Sequence, residues 1–243
     1  MNNVIETLTN HRSIRSFTEQ TIDNELLDQI ADATQAAPSW INGQQMSVVV
    51  VKDSTTKQRL AELVGNQSAV AEAPVFFVFC ADFYRASLAS TMEKTSFAVS
   101  DDIDALLVGA TDVGLAMGNA IAAAESLGLS IVPIGGIRKN PLEVIELLDL
   151  PKYVLPISGL CIGYANQNPE LKPRFAKEAV FHEETYKQDL IDQIVSYNRT
   201  MIDYSNGQGP SWTERVASFY SMPFTSYTAA MLERQGFSFK NTL

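Results

Sequence analysis

The chain has 243 residues, 46% hydrophobic and 19% charged, the proportions of a soluble globular protein with a sizeable core, which excludes disorder and collagen. Lys and Arg number 18 against 28 Asp and Glu, a net charge of −10, which argues against binding nucleic acid or lying flat on anionic lipid. Two cysteines and two histidines are too few for a disulfide framework, a thiolate-rich metal site or a His-rich one.

Residues 1–10 lack the basic run and apolar core of a secretory signal, so a cytoplasmic location is expected. Residues 4–10 predict a short helix, ending at the basic cluster 11–17. Leu26, Leu27, Ile30, Ala33 and Ala37 recur at the helical period and predict a second helix from about residue 21, stopped by Pro38. A polar turn, 39–45, leads into a strand at 46–51 and a helix at 55–64. Another polar turn at 65–67 precedes a short helix at 67–72. Residues 74–80 are nearly all apolar, as in a central strand.

Residues 82–100 show no firm period and read as a mobile excursion. The longest helix, 101–127, is rich in small residues and apolar almost all round, which predicts a buried central helix. It is interrupted by Asp104, Asp112, Asn119 and Glu125, so it does not read as a membrane span. A strand at 129–134 runs into Gly135-Gly136, a helix follows at 140–148, and residues 153–164 form a strand region interrupted by Pro156. Residues 166–179 have no clear regular structure. Two helical stretches, 183–204 and 212–235, close the chain, the second interrupted by Pro223. The order is not a strict βαβ series, so a mixed α+β domain is expected.

Four groups of residues could carry chemistry. Arg12 and Arg15 flank Ser13, and their forks suit phosphate oxygens; as plain surface residues they would instead pair with acids such as Glu19. Lys172-Pro173-Arg174 is a second basic cluster, stiffened by its proline. Ile134-Gly135-Gly136 would let a flat ligand approach backbone N–H groups, or would simply make a tight turn. Ser39, Asn42, Gln44, Asn66 and Gln67 offer neutral donors and acceptors to a heterocycle, or ordinary turn chemistry. Cys80 and Cys161 sit in apolar runs and read as buried thiols. No G-x-G-x-x-G, P-loop or G-x-S-x-G motif is present. Asp101-Asp102 and Asp104 read as an acidic helix start before a metal site.

The ordered set of His11-Arg12-Ser13-Ile14-Arg15-Ser16-Phe17, Gly65-Asn66-Gln67, Ile134-Gly135-Gly136-Ile137-Arg138, the run 155–163 and the run 168–174 resembles the nitroreductase family of flavoproteins, in its NADPH-dependent, oxygen-insensitive nitroreductase and flavin reductase subgroup. The resemblance spans about the whole chain. It implies a mostly antiparallel sheet flanked by helices, one domain over 1–243 with residues 183–243 as a helical C-terminal extension, and a homodimer with non-covalent FMN at the subunit interface. By position, Arg12, Ser13, Arg15, Lys172 and Arg174 would hold the phosphate and ribityl end, with His11 nearby. Ser39, Asn42 and Gln67 would line the ring or its arm, and Gly135 and Gly136, after Ile134, would place N–H groups against the ring.

The implied activity is a ping-pong hydride relay from NADPH or NADH to nitroaromatics, quinones or related small acceptors, with no catalytic side chain. Alternatives are an FMN reductase supplying free reduced flavin, a non-catalytic flavin-binding protein, and a phosphate-ligand binder without flavin. Two departures stand out. Pro38-Ser39-Trp40 replaces the serine-rich run of many relatives, and the loop 204–210 lacks the arginines that NADPH-preferring members carry there.

Overall fold

The computed structural model describes residues 2–224 and 227–239. The chain forms two compact units, Met1–Pro169 with Ser226–Leu243, and Glu170–Thr225.

The first unit is built on α1 (Asn3–Thr9), α2 (Asn24–Gln35), β1 (Met46–Val51), α3 (Ser54–Leu63), α4 (Ser68–Glu72), β2 (Val75–Asp82), α5 (Tyr84–Met92), α6 (Asp104–Ser126), β3 (Ser130–Ile134), α7 (Pro141–Leu147) and β4 (Val154–Gly163). The strands form one antiparallel sheet in the order β1-β2-β4-β3. All eight residues of β2 are buried, as its apolar run requires of an inner strand. Side chains alternate across the pleat. Val75, Phe77, Phe79 and Ala81 join a core with α2 and α6, while Phe76, Val78 and Cys80 join another with α3 and α4. The result is a sheet with helices on both faces, the expected α+β class.

Residues 11–18 add an extended segment beside the sheet. Ser13 bridges Ile131 in parallel, the Ile14 N–H donates to the Ile131 carbonyl at 2.9 Å, and Thr18 N–H donates to Tyr164 O at 2.9 Å. Ile14 and Phe17 are buried and anchor it. The strand β4 runs through Pro156 rather than breaking there. Its pairing with β2 slips by one residue between Phe79 and Cys80, a bulge that absorbs the missing proline N–H.

Three further expectations are corrected. Residues 82–100 contain α5 and a 3-10 turn at Ala98–Asp101. The helix α6 is not buried all round. Ala105, Gly109, Val113, Ala116 and Ala120 face the core, but Leu107 is 65% exposed, Leu115 is 43% exposed, and a methyl placed on Gly114 or Gly118 would meet nothing within 4 Å. This helix alone is long and apolar enough to cross a membrane among the described residues; here it packs on α2 and the sheet. Finally, residues 183–190 are not helical. That stretch has no apolar stripe to bury, and Glu184 adopts a left-handed φ of 59°.

In the second unit α8 (Ile191–Tyr204) and α9 (Trp212–Tyr220) pack as a pair. Phe175 stacks against Tyr197 at 4.0 Å and edge-on to Trp212 at 4.9 Å, and Asn198 exchanges hydrogen bonds with Thr213. Ser211 and Glu214 form a capping box that starts α9. The last helix, α10 (Thr228–Arg234), belongs to the first unit. Just past it, Gln235 donates to Pro151 O and Val154 O at 2.8 and 2.6 Å.

Candidate functional site

The N-terminal basic cluster is held by its apolar neighbours. With Ile14 and Phe17 buried, His11, Arg12, Ser13 and Arg15 remain partly or fully accessible. His11 Nδ1 lies 2.6 Å from Glu125 Oε1 at the end of α6, which ties the segment to that helix. Arg12 Nη1 donates to Asn10 O at 3.0 Å, and Arg15 Nη1 to Ser13 O at 3.5 Å. Neither arginine enters an ion pair among the described residues. Arg12 Nε is buried and has no partner among the described residues, a donor that an anion would satisfy.

Three residues along β3 from Ile131, about 10 Å at the strand rise, buried Ile134 opens the 3-10 turn Gly135–Arg138. The two glycines differ. A methyl on Gly136 would lie 2.3 Å from the Val64 carbonyl oxygen and 2.7 Å from Gln67 Nε2; one on Gly135 would meet nothing within 4 Å. Gly136 therefore admits the end of α3 and the Gln67 side chain, while Gly135 faces open space. Gln67 Nε2 donates to Val64 O at 3.0 Å, following left-handed Gly65 and Asn66. Arg12, Ser13, Arg15, Gln67, Ile134, Gly135 and Gly136 thus share one edge of the sheet.

Ser39 and Asn42 do not join them. They lie in the loop before β1, at the opposite edge, three strand spacings or about 14 Å away across the sheet. This loop carries three left-handed residues, Ile41, Asn42 and Gln44, with φ of 50°, 54° and 52°, a conformation that neighbours must impose. At its start Trp40 N–H donates to Asp112 Oδ1 at 3.2 Å. At its end Arg85 Nη2 donates to Gln44 O and Met46 O at 2.6 and 2.8 Å, while Nη1 binds Asp82 Oδ2 at 2.7 Å and Ser47 Oγ at 2.8 Å. Ser39 Oγ accepts from Gln44 N at 3.1 Å. In the sequence Asp112 stands out only as one of the polar interruptions of the long helix, and Arg85 carries no signal.

Lys172 and Arg174 lie in the second unit. Their strap is fastened by Tyr197, whose hydroxyl donates to Pro173 O at 2.9 Å, and Arg174 Nη1 donates to Lys172 O at 2.9 Å.

Residues 8–164 match the family model described as the nitroreductase family, and residues 172–240 match its C-terminal domain. The chain belongs to the nitroreductase family. Among curated nitroreductase-family relatives it is 46% identical, over 98% of both chains, to the FMN reductase [NAD(P)H] of Bacillus subtilis (strain 168). It is 36% identical to the oxygen-insensitive NADPH nitroreductase of Salmonella typhimurium, over 98% of this chain and 99% of the relative. The solved structure of B. megaterium NfrA2 superposes with a TM-score of 0.95 at 45% identity, covering 99% of this chain and all of that one.

The flavin mononucleotide of this family has a chemically matching cradle here. The orphaned Arg12 Nε and the adjacent Ser13 and Arg15 suit a phosphate, and the open face at Gly135 suits a planar ring. Neither thiol is placed to act as a nucleophile. Both cysteines are buried and free. Burial pushes the Cys80 thiol up to about 12 and the Cys161 thiol up as well. At the start of α6, Asp102 Oδ1 accepts from Asp104 N at 3.0 Å, the role of a helix-start acid.

Proposed function

We propose that the protein is an FMN-dependent oxidoreductase that takes electrons from NADPH or NADH and passes them to small-molecule acceptors. The observation that carries this reading is the sheet edge that holds both a buried guanidinium nitrogen, unpaired among the described residues, and an open glycine face. FMN, when bound, supplies the hydride-carrying ring. The chain binds and orients it. Arg12, Ser13 and Arg15 would hold the phosphate through charge-assisted hydrogen bonds, and His11, fixed by Glu125, holds that segment in place. Gln67 and the backbone of Gly135 and Gly136 border the ring beyond Ile134.

Ser39 and Asn42 can border the same ring only from a second subunit, because within one chain they occupy the far edge of the sheet. A symmetric homodimer places both halves of two equivalent sites. The bare apolar stripe of α6, with Leu107 and Leu115, the exposed Ile103 just before it, and the exposed Val4, Ile5 and Leu8 of α1 supply a surface for it. With one accessible ring face, the nicotinamide and the acceptor occupy it in turn. The arginine-free loop 205–210, with Asn206, Gly207 and Gly209 left-handed, offers no fixed cation to a 2′-phosphate, which favours use of both nicotinamides.

Two acceptor classes fit such an open face. Nitroarenes and quinones are one. Free flavin is the other, favoured by the higher identity to the B. subtilis FMN reductase than to the Salmonella nitroreductase. Anaerobic steady-state rates of NADPH and NADH consumption with a nitroarene, a quinone and added FMN test both the reading and its branch. Parallel double-reciprocal lines are expected with at least one acceptor. No consumption with any acceptor would overturn the assignment.

A further inference from the structure

A cavity of about 500 Å³ opens between α2, α6 and the outer strand β1. It is distinct from the basic edge, and it is lined by Met46, Val48, Val50, Phe77 and Ala116, with Asp112 among them. That volume exceeds a water molecule's share of about 30 Å³ many times over and lies in the range of small-ligand sites.

Its polar groups are nearly all committed. Thr34 Oγ1 donates to Ile30 O at 2.6 Å, Ser39 Oγ accepts from Gln44 N, and Ser47 Oγ binds Asp82 and Arg85. The Arg85 guanidinium spends its donors on Asp82, Ser47, Gln44 and Met46, so it is not a counter-charge for Asp112. Asp112 is the buried exception among the described residues. The residue is only 4% exposed, Oδ1 accepts from Trp40 N, and Oδ2 is buried with no partner among the described residues. A buried acid oxygen beside an apolar cavity calls for a donor, and best for a charged one.

We infer that this cavity binds a small amphipathic amine, its ammonium on the Asp112 carboxyl and its apolar or aromatic body against Val48, Val50 and Phe77. Such a ligand pairs a positive head with the one acid that lines this cavity among the described residues and buries a body that the walls match. Because the Asp112 carboxyl also fixes Trp40, such a ligand reaches the strained loop that carries Ser39 and Asn42.

The test is calorimetric titration of the FMN-saturated protein with 2-phenylethylammonium and with its neutral counterpart 2-phenylethanol. The amine is expected to bind once per chain, at least tenfold more tightly than the alcohol. Asp112→Asn keeps an oxygen for Trp40 N–H and should cost the amine at least tenfold. Val50→Trp, at the exposed rim of the cavity, should block both compounds with the acid intact, so the inference stays testable if Asp112→Asn fails to fold. Equal binding of amine and alcohol, amine binding indifferent to both substitutions, or no binding of the amine would each overturn the inference.

Discussion

The two adjacent glycines give a sharp test, because the same substitution meets opposite surroundings one residue apart. At Gly136 an added methyl sits 2.3 Å from the Val64 carbonyl oxygen and 2.7 Å from Gln67 Nε2, so the turn and the end of α3 must part by about 1 Å. Overpacking of that kind costs about 1–3 kcal/mol. Taking about 2 kcal/mol, Tm should fall by about 4–8 °C for a protein of this size. At Gly135 the methyl enters open space at an ordinary backbone φ, so stability should stay within about 0.5 kcal/mol of the parent. Its effect should appear instead in FMN affinity, about tenfold weaker, a loss of about 1.4 kcal/mol, because the methyl stands where the ring would lie. Thermal melts of the apoproteins and titration of FMN fluorescence read the two quantities separately. A Gly135→Ala protein that binds FMN like the parent, or a Gly136→Ala protein with an unchanged Tm, would refute the reasoning.

Other substitutions probe the rest of the account. Arg85→Ala removes the clamp on Gln44 and Met46 and leaves the buried Asp82 carboxyl without its cation; with the arginine half exposed the expected cost is about 2 kcal/mol, read by urea melts. Gln208→Arg puts a cation in the loop after α8 and should raise the NADPH over NADH preference in kcat/KM about tenfold, in keeping with a charged hydrogen bond of about 1.5–3 kcal/mol. Neither Cys80 nor Cys161 should react with a disulfide reagent in the native protein at pH 8, whereas both should react in denaturant; fast native labelling would contradict their burial. Burial lowers the pKa of Lys57, whose Nζ donates to Ala73 O at 2.5 Å. The unfolded chain therefore binds more protons than the folded one as pH approaches 10.5, so this residue makes stability rise with pH there, and Lys57→Met should flatten that rise.

Local patterns in the chain reached far, and their failures share a cause. The run 75–80 announces an inner strand because both of its faces are apolar, and 46–51 reads correctly to the residue. The basic cluster and the paired glycines are visible as residue types. That Ile14 docks on Ile131 to bring them to one edge depends on contacts more than a hundred residues apart. The same holds for the glycines, since only the position of Val64 separates a crowded Gly136 from an open Gly135. Hydropathy told that α6 is apolar all round but not which stripe stays bare, because an apolar surface reads alike whether its own chain or another molecule covers it. The clamp by Asp112 and Arg85 left no periodic trace, as each acts on a loop far from it in sequence. Residues 183–190 carry nothing that repeats at the helical period, and the helix expected over 183–204 begins only at Ile191.

The most direct measurement is an anaerobic spectrophotometric titration of the FMN-loaded protein with NADPH and, in parallel, with NADH. The visible flavin band should bleach stoichiometrically with at least one of them and return on adding a quinone under the same exclusion of oxygen. A band that stays unchanged under both nicotinamides, or a purified protein that takes up no FMN, would contradict the account.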